Sequence, residues 1–201
     1  MLIALCCAGR YLVLDGLRFG APDLSPVYVA ARLMADGNAA SLYDHHPYLF
    51  NIVPPGTFRE TAARCGFTGN ITPYVHLPLF AWLSRPLVFL PFSAAAATLL
   101  LCNILAVVAS LLLTLRLTGL QPTLRWLCVT VIALSCFYPL RYGLRLGQTT
   151  PLVFLGLTSL YCLSRSGHQK LSGVLLGLMI SLKITPILFL GHFLVKKRWS
   201  A

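Results

Sequence analysis

Carboxylates are scarce in this sequence and are confined to one stretch of it. Only 5 of the 201 residues are Asp or Glu, against 16 Lys and Arg, so the formal net charge is +11. The stretch 61–201 contains no acidic residue. The five acidic residues are Asp15, Asp23, Asp36, Asp44 and Glu60. Any reaction that needs a carboxylate from this chain must therefore take it from the first 60 residues.

Charge of either sign is also rare. Charged residues make up 10% of the chain and hydrophobic residues 57%, with a mean hydropathy of +0.78, whereas soluble domains carry about 25% charged residues. This composition indicates an integral membrane protein. The basic residues stand at the ends of apolar runs, as expected beside lipid headgroups, and do not cluster on one polar face, which argues against a nucleic-acid partner.

Several common motifs are missing. Six of the seven cysteines lie in apolar runs and none forms a CxxC pair, so neither a disulfide framework nor a cysteine metal site is indicated. No P-loop, GxGxxG motif, nucleophile elbow or internal repeat occurs, which argues against an ATP-driven pump or a soluble nucleotide-sugar enzyme. Asp44-His45-His46 offers metal-ligand atoms, but adjacent loop residues seldom converge on one ion. We therefore predict no metal and no cofactor.

The chain begins with a short apolar run and a long polar loop. Fourteen helical residues over 1–14 would extend only about 21 Å, against a hydrocarbon core of about 30 Å, so we predict an incomplete first membrane helix. A cleaved signal peptide is the alternative, but the run lacks a basic start and a clear cleavage site. Residues 15–73 are predicted to form an extracytoplasmic loop. Within it Ser25 is expected to cap a helix that ends near Asp36 and lies along the membrane surface.

The rest of the sequence predicts membrane helices. Prolines interrupt residues 74–92, so this run is either a short spanning helix or an interfacial helix. Residues 93–115 contain no charge and are long enough to cross a bilayer. Further apolar runs occupy 126–140, 151–163 and 171–195. The predicted fold class is an all-α, polytopic transmembrane helical protein that forms a single membrane domain over 1–201.

The distribution of positive charge favours one topology. If 74–92 is interfacial and the last run is a hairpin broken near Lys183 and Pro186, most basic residues fall on one side, which would be cytoplasmic. If 74–92 spans and the last run is one helix, the charges divide almost evenly. We prefer the first arrangement. Its cytoplasmic residues are Arg116, Arg125, Arg165, Lys170, Lys196, Lys197 and Arg198.

In that arrangement several functional groups approach the extracytoplasmic interface. They are Asp23, Arg141, Arg145, Gln148 and Lys183. A lysine within the membrane costs about 2.5 to 3.5 kcal/mol on insertion scales, so it is either functional or reaches the headgroup layer. A lipid phosphate would satisfy the lysine and the arginines.

A carboxylate beside a lipid-linked phosphate suggests glycosyl transfer. Asp23 would take the proton of an acceptor hydroxyl, and the basic groups would stabilise the departing phosphate. The alternative for Asp23 is an interaction with the dipole of the helix that follows it.

A family resemblance rests on the order of a set of short motifs. These motifs are Pro22-Asp23, Tyr28, Ala30-Ala31, Gly37, Leu42-Tyr43-Asp44, Tyr74 with Pro78, Pro86-Leu87, Leu90-Pro91, Gly147-Gln148, Gly173 with Gly177, and Lys183 with Pro186. In this order the sequence resembles the polyprenol-phosphate-sugar-dependent glycosyltransferases of the GT-C superfamily, in particular family 87, which includes bacterial mannosyltransferases. The resemblance covers nearly the whole chain.

The resemblance implies an inverting, multi-pass hexosyltransferase of the bacterial plasma membrane. Its donor would be a polyprenyl-phosphate sugar, commonly mannose, and its acceptor a lipid or glycan. Asp23 matches the family's catalytic aspartate in the first extracytoplasmic loop. Tyr28 and Tyr43 are expected to support the loop or contact sugar, with Gln148 as a hydrogen-bonding partner.

The chain also departs from the family pattern. Family members are longer, so we expect this chain to be an N-terminal part with a missing C-terminal half. The usual Tyr-Pro-Pro reads Tyr74-Val75-His76-Leu77-Pro78 here. Two alternatives stay open: a lipid or small-solute transporter with a broken helix at Lys183, and a truncated, non-catalytic membrane subunit.

Overall fold

The computed structural model describes residues 1–44, 46, 48–49, 52–69 and 71–195. Over these residues it is helical, with no strand, as the sequence predicts. The helices are α1 (Leu2–Ala8), α2 (Asp15–Phe19), α3 (Ser25–Ala35), α4 (Thr57–Arg64), α5 (Pro78–Leu83), α6 (Phe92–Thr118), α7 (Leu124–Cys136), α8 (Tyr138–Leu146), α9 (Thr150–Arg165), α10 (Gln169–Leu182) and α11 (Leu188–Val195).

The first helix is longer than predicted. A π-helical segment, Gly9–Leu14, joins α1 to α2, so the chain is helical from Leu2 to Phe19. This continuous helix ends at Gly20, which has φ +75°. The sequence placed Asp15 in the polar loop because a carboxylate seldom lies in an apolar helix. In the structure Asp15 is 8% exposed and ion-paired, which compensates its charge within the helix.

The polar loop folds around α3, so this helix is covered by the loop itself, and its predicted position along the membrane surface stays a prediction. Val29, Ala30 and Leu33 are fully buried, and α3 packs against α4, α5 and the 3-10 turn Arg85–Phe89. The helix ends next to Asp36, as predicted. A helix covered on several sides is the centre of a small core rather than a one-sided surface helix.

Ser25 does not cap α3. A 3-10 turn, Pro22–Leu24, leads directly into the helix, and the Ser25 hydroxyl donates to the Pro22 carbonyl at 2.8 Å. The side chain therefore binds backward to the preceding turn instead of accepting from an amide of the first helical turn.

The proline-rich run divides into short pieces. Helix α5 has 6 residues and the following 3-10 turn has 5, and neither approaches the roughly 20 residues that a spanning helix needs. Of the two predicted alternatives, these lengths favour the interfacial helix, and both stay predictions. The prolines at the first turns of both elements start new helices and so prevent one continuous helix.

One described helix, α6, is long and apolar enough to cross a membrane. Its 27 residues extend about 40 Å. Helices α7 and α8 would together make a second span, although they are bent by 61°. A multi-pass arrangement stays a prediction beyond these helices.

The last apolar run breaks where its sequence predicts. Helix α10 ends at Leu182, Lys183 has extended backbone angles, and the 3-10 turn Thr185–Ile187 precedes α11. A Cβ at Gly177 of α10 would meet nothing within 4 Å, whereas Gly156 of α9 lies against Met179 of α10. The basic group Lys196, Lys197 and Arg198, used in the topology argument, lies outside the described residues.

Candidate active site

Two helices end side by side and place the central side chains of the site. Helix α2 ends at Gly20, and Ala21 follows with φ +49°, while α8 ends at Gly147 with φ +75°. A Cβ added to Gly147 would lie 2.6 Å from the Ala21 Cβ, so only glycine permits this close approach. Immediately beyond the two helix ends lie Asp23 and Gln148.

Asp23 and Gln148 are hydrogen-bonded to each other. The Gln148 Nε2 donates to the Asp23 Oδ2 at 2.8 Å, across 125 residues of sequence. The Gln148 backbone is held in turn by Asn103 of α6, whose Nδ2 donates to the Gln148 carbonyl at 2.8 Å. Asn103 is fully buried. The neutral amide thus orients the exposed Asp23 carboxylate without cancelling its charge.

The two side chains open onto a cavity of about 320 Å³, within the size range of ligand sites. Its walls come from the Pro22–Leu24 turn, α3, the segment 72–76, the start of α9 and the end of α10. The polar residues that line it are Asp23, Thr72, His76, Gln148, Thr149, Thr150 and Lys183.

Lys183 supplies the positive wall of the cavity. It lies at the break after α10, half-buried, and its Nζ donates to the Thr150 Oγ1 at 3.2 Å. Thr150 is the first residue of α9, and a helix N-terminus carries partial positive charge. An ammonium group and a helix N-terminus on one wall favour a phosphate or another anion there.

His76 is a cavity residue that sequence reasoning did not single out as part of the site. Its backbone carbonyl accepts from the Tyr43 hydroxyl at 2.8 Å, and its ring meets the Phe80 ring edge-on at 5.1 Å. Burial lowers the pKa of His76, although a hydrogen bond to the Leu182 backbone and the charge of Asp23 act in the opposite direction. The departure from Tyr-Pro-Pro at this position was the available signal.

Arg141 and Arg145 do not line the cavity. Both face Asp15, with nitrogen–oxygen distances of 3.2 and 3.8 Å, and Arg10 approaches the same carboxylate at 2.9 Å. The guanidinium of Arg141 also lies over the Tyr11 ring. The structure thus divides the predicted site residues between two places: Asp23, Gln148 and Lys183 in the cavity, and the two arginines around Asp15.

The part of the chain from residue 74 onward matches a known protein family. The model of glycosyltransferase family 87 matches residues 74–201. The chain belongs to glycosyltransferase family 87. No solved structure matches it.

Curated relatives of this family 87 chain are named as polyprenol-phosphate-mannose-dependent mannosyltransferases. A polyprenol-phosphate-mannose-dependent alpha-(1-2)-phosphatidylinositol mannoside mannosyltransferase of Mycobacterium tuberculosis is 30% identical over 140 residues, covering 62% of this chain and 32% of that protein. Its namesake in Mycolicibacterium smegmatis is 33% identical over 144 residues, covering 62% and 31%.

A third relative extends the match along the chain. A polyprenol-phosphate-mannose-dependent alpha-(1-2)-phosphatidylinositol pentamannoside mannosyltransferase of Mycolicibacterium smegmatis is 28% identical over 187 residues, covering 90% of this chain and 45% of that protein. The family 87 chain thus spans less than half the length of the curated relatives it matches.

The two tyrosines named from the family 87 pattern make contacts within the loop. Tyr28 is 5% exposed and donates to the Leu90 carbonyl at 2.7 Å; it lines a separate cavity of about 470 Å³ and not the one at Asp23. Tyr43 holds the backbone of His76. Both sets of contacts are those expected of loop supports, and the predicted sugar contacts stay untested.

Among the residues that the structure describes, no three His, Cys, Asp or Glu side chains lie close enough together to hold a metal ion. His45 of the Asp44-His45-His46 sequence lies outside that set.

Proposed function

We propose that this protein is a membrane glycosyltransferase that moves a hexose, in the first instance mannose, from a polyprenyl-phosphate sugar to a hydroxyl of a lipid or glycan acceptor. The observation that carries this proposal is the shared cavity, which is lined both by an exposed carboxylate, Asp23, and by a cation at a helix N-terminus, Lys183. Transfer of a sugar from a phosphate donor needs a base for the acceptor hydroxyl and a positive charge for the departing phosphate at the same time.

In the proposed reaction Asp23 is the general base. An acceptor hydroxyl gives its proton to the Asp23 carboxylate while its oxygen attacks the anomeric carbon of the donor. The bond between that carbon and the phosphate oxygen breaks, and its electron pair leaves with the polyprenyl phosphate. A single displacement of this kind inverts the anomeric configuration.

The other cavity residues assist this step by orientation and charge. The Gln148 amide occupies one Asp23 oxygen and leaves the second oxygen for the acceptor proton. Lys183 and the N-terminus of α9 stabilise the negative charge that grows on the phosphate as it departs. We keep Arg141 and Arg145 out of the phosphate site, since both are already engaged by Asp15.

A lipid-linked donor requires a membrane setting, and α6 supports one. Leu101, Leu105, Val108 and Leu112 follow one another at spacings of four, three and four and are 48–59% exposed. A stripe of exposed apolar side chains on a 27-residue helix suits contact with lipid. We propose a multi-pass protein of the bacterial plasma membrane with the cavity on the extracytoplasmic side, opposite Arg116 and Arg125.

The names of the relatives support the choice of substrates. They specify polyprenol-phosphate-mannose donors and phosphatidylinositol mannoside acceptors for those proteins. For this chain we propose the same class of donor and an acceptor that also resides in the membrane, because both reactants must reach one cavity.

The test measures transfer of labelled mannose from polyprenyl-phosphate mannose to endogenous acceptors in membranes that carry the chain at matched levels. We expect the Asp23→Asn variant to lose activity by about 10²- to 10⁴-fold, the usual contribution of a general base. Asp36→Asn is the matched control, since Asp36 is exposed and outside the cavity. Equal transfer by Asp23→Asn and the unchanged chain would remove Asp23 as the base. A transporter or structural subunit would show no Asp23-dependent transfer.

A further inference from the structure

The carboxylate of Asp15 gathers three arginines although the proposed reaction does not use it. Its Oδ1 accepts from Arg10 at 2.9 Å and its Oδ2 from Arg141 at 3.2 Å, with Arg145 at 3.8 Å from Oδ2. The Asp15 side chain is 10% exposed, and those of Arg141 and Arg145 are 22% and 29% exposed. Arg10 is the outer member, at 52%.

This cluster joins two helices far apart in sequence. Asp15 lies on α2, whereas Arg141 and Arg145 are four residues apart on α8 and therefore face the same way. Like charges at this spacing repel each other, and the Nε atoms of both arginines are buried without a hydrogen-bond partner. Asp15 is the counter-charge that lets the two guanidinium groups lie against α2.

Helices α2 and α8, which this cluster joins, lead directly to the proposed base. Gln148 is three positions after Arg145, and the helix end at Gly20 is five positions after Asp15. Gly147 and Ala21 already touch with no room for a Cβ. A displacement of α8 relative to α2 must therefore move the Gln148 amide relative to the Asp23 carboxylate.

We infer that Asp15 is a positioning residue: through Arg141 and Arg145 it fixes α8 against α2 and thereby sets the hydrogen bond between Gln148 and Asp23. This inference rests on the proposed function, because the hydrogen bond matters for catalysis only if Asp23 is the base. It also assigns the two arginines a different task from phosphate binding.

Direct phosphate binding by the arginines fits the geometry less well. Neither arginine lines the cavity, and each guanidinium is already occupied by the Asp15 carboxylate and by an aromatic ring, Tyr11 for Arg141 and Phe19 for Arg145. The two interpretations differ in kinetics: a lost phosphate contact weakens donor binding, whereas a misplaced base slows the chemical step.

The decisive experiment is a double-mutant cycle of Asp15→Asn and Gln148→Ala in the mannose-transfer assay. We expect Asp15→Asn to lower kcat about 10- to 100-fold, the effect of a small misplacement of a reacting group, with little change in the KM for the donor. The double variant should be no slower than the slower single variant, because Asp15 acts through Gln148. Asp15→Glu, which keeps the carboxylate, should recover part of the rate, and Asp36→Asn should match the unchanged chain.

Three results would overturn the inference. They are multiplicative losses in the double variant, a rise in the donor KM without a fall in kcat, and equal rates for Asp15→Asn and the unchanged chain. If Asp15→Asn does not fold, Arg145→Gln replaces it in the cycle, since that variant leaves Asp15 paired with Arg10 and Arg141. The same pattern is expected with a smaller loss.

A second double-mutant cycle tests the pairing of Asp15 with Arg145 without an activity measurement. Thermal unfolding of the purified chain in detergent should show that Asp15→Asn and Arg145→Gln together lower the midpoint by less than the sum of their separate effects. Additive shifts of the midpoint would show that Asp15 does not hold α8 against α2 through Arg145. Coupled shifts together with no Asp23-dependent transfer would instead refute the proposed function and, with it, the catalytic part of the inference.

Discussion

Asp15 and Asp23 are eight residues apart in sequence, yet their surroundings differ in every respect that matters for chemistry. Asp15 lies within a helix, 8% exposed, with three guanidinium groups within 4 Å. Asp23 follows the end of that helix, is exposed, and accepts a hydrogen bond from the neutral amide of Gln148. One carboxylate is fully compensated and the other retains its charge at the edge of a cavity.

The difference separates what each carboxylate can do. A buried carboxylate with several guanidinium partners stabilises the arrangement of its helices, and removing it leaves uncompensated positive charge. A carboxylate held by one amide keeps lone pairs for a proton. In this molecule the acidic residue with the most ionic partners is therefore the structural one, and the one with few partners is the candidate base.

The largest difference expected between the two carboxylates is in the free energy of unfolding that each one contributes. Asp15→Asn should lower the free energy of unfolding by about 3 kcal/mol, the lower end for breaking a buried ion pair, because its partners are partly exposed. Asp23→Asn should change it by no more than about 0.5 kcal/mol. Chemical unfolding of both variants in detergent measures this contrast. Equal destabilisation by the two substitutions would break the comparison.

Substitution of Lys183 tests the proposed phosphate-binding side of the Asp23 cavity. Lys183→Met should lower kcat about 100-fold, near the effect of losing one donor to a developing anion, which corresponds to about 2.7 kcal/mol. Lys183→Arg retains the positive charge and should lose less. Rates measured with saturating acceptor distinguish these variants. A Met variant as fast as the unchanged chain would show that the phosphate binds elsewhere.

Gly147 tests whether the two regions are mechanically joined. A Cβ there would overlap Ala21, at a φ of +75° that favours glycine, so Gly147→Ala should cost about 2 kcal/mol of stability and slow transfer. Gly177→Ala is the matched control, because a Cβ at that helical position meets nothing within 4 Å and alanine favours helix. If the two variants are equally stable, the ends of α2 and α8 are not in close contact.

The smallest expected effect concerns pH. Burial lowers the pKa of His76 below its ordinary value of 6.5, so the unfolded chain takes up a proton there more readily than the folded one. Stability should therefore fall as the pH drops below about 6.5 and be unaffected by His76 above it. His76→Gln should flatten this part of the stability profile. An unchanged profile in that variant would show that His76 is not buried in its neutral form.

Much of the helical architecture was accessible from the sequence. The uncharged run at 93–115 predicted α6, and Pro186 beside Lys183 predicted the break after α10, because chain length, charge and proline act locally. The combination of Asp23, Gln148 and Lys183 was predicted from topology and family pattern, and the structure places all three around one cavity. His76 was overlooked because a single histidine gives no periodic signal.

The partners of Arg141 and Arg145 could not be predicted in the same way. Arg141 lies 126 residues from Asp15, and nothing in the local sequence shows that α2 and α8 run side by side at that level. The burial of α3 was missed for a related reason. Its apolar positions indicated one covered face, whereas α4, α5 and the Arg85–Phe89 turn cover several.

By itself, therefore, the sequence determined the helical class, the long apolar helix α6, the break at Lys183 and the confinement of carboxylates to the first 60 residues. These features follow from composition and from interactions between near neighbours in the chain. Only the tertiary structure decided which carboxylate receives the arginines and which one faces the cavity. That choice depends on where two distant helix ends meet, since electrostatic compensation is decided by distance in space and not by separation along the chain.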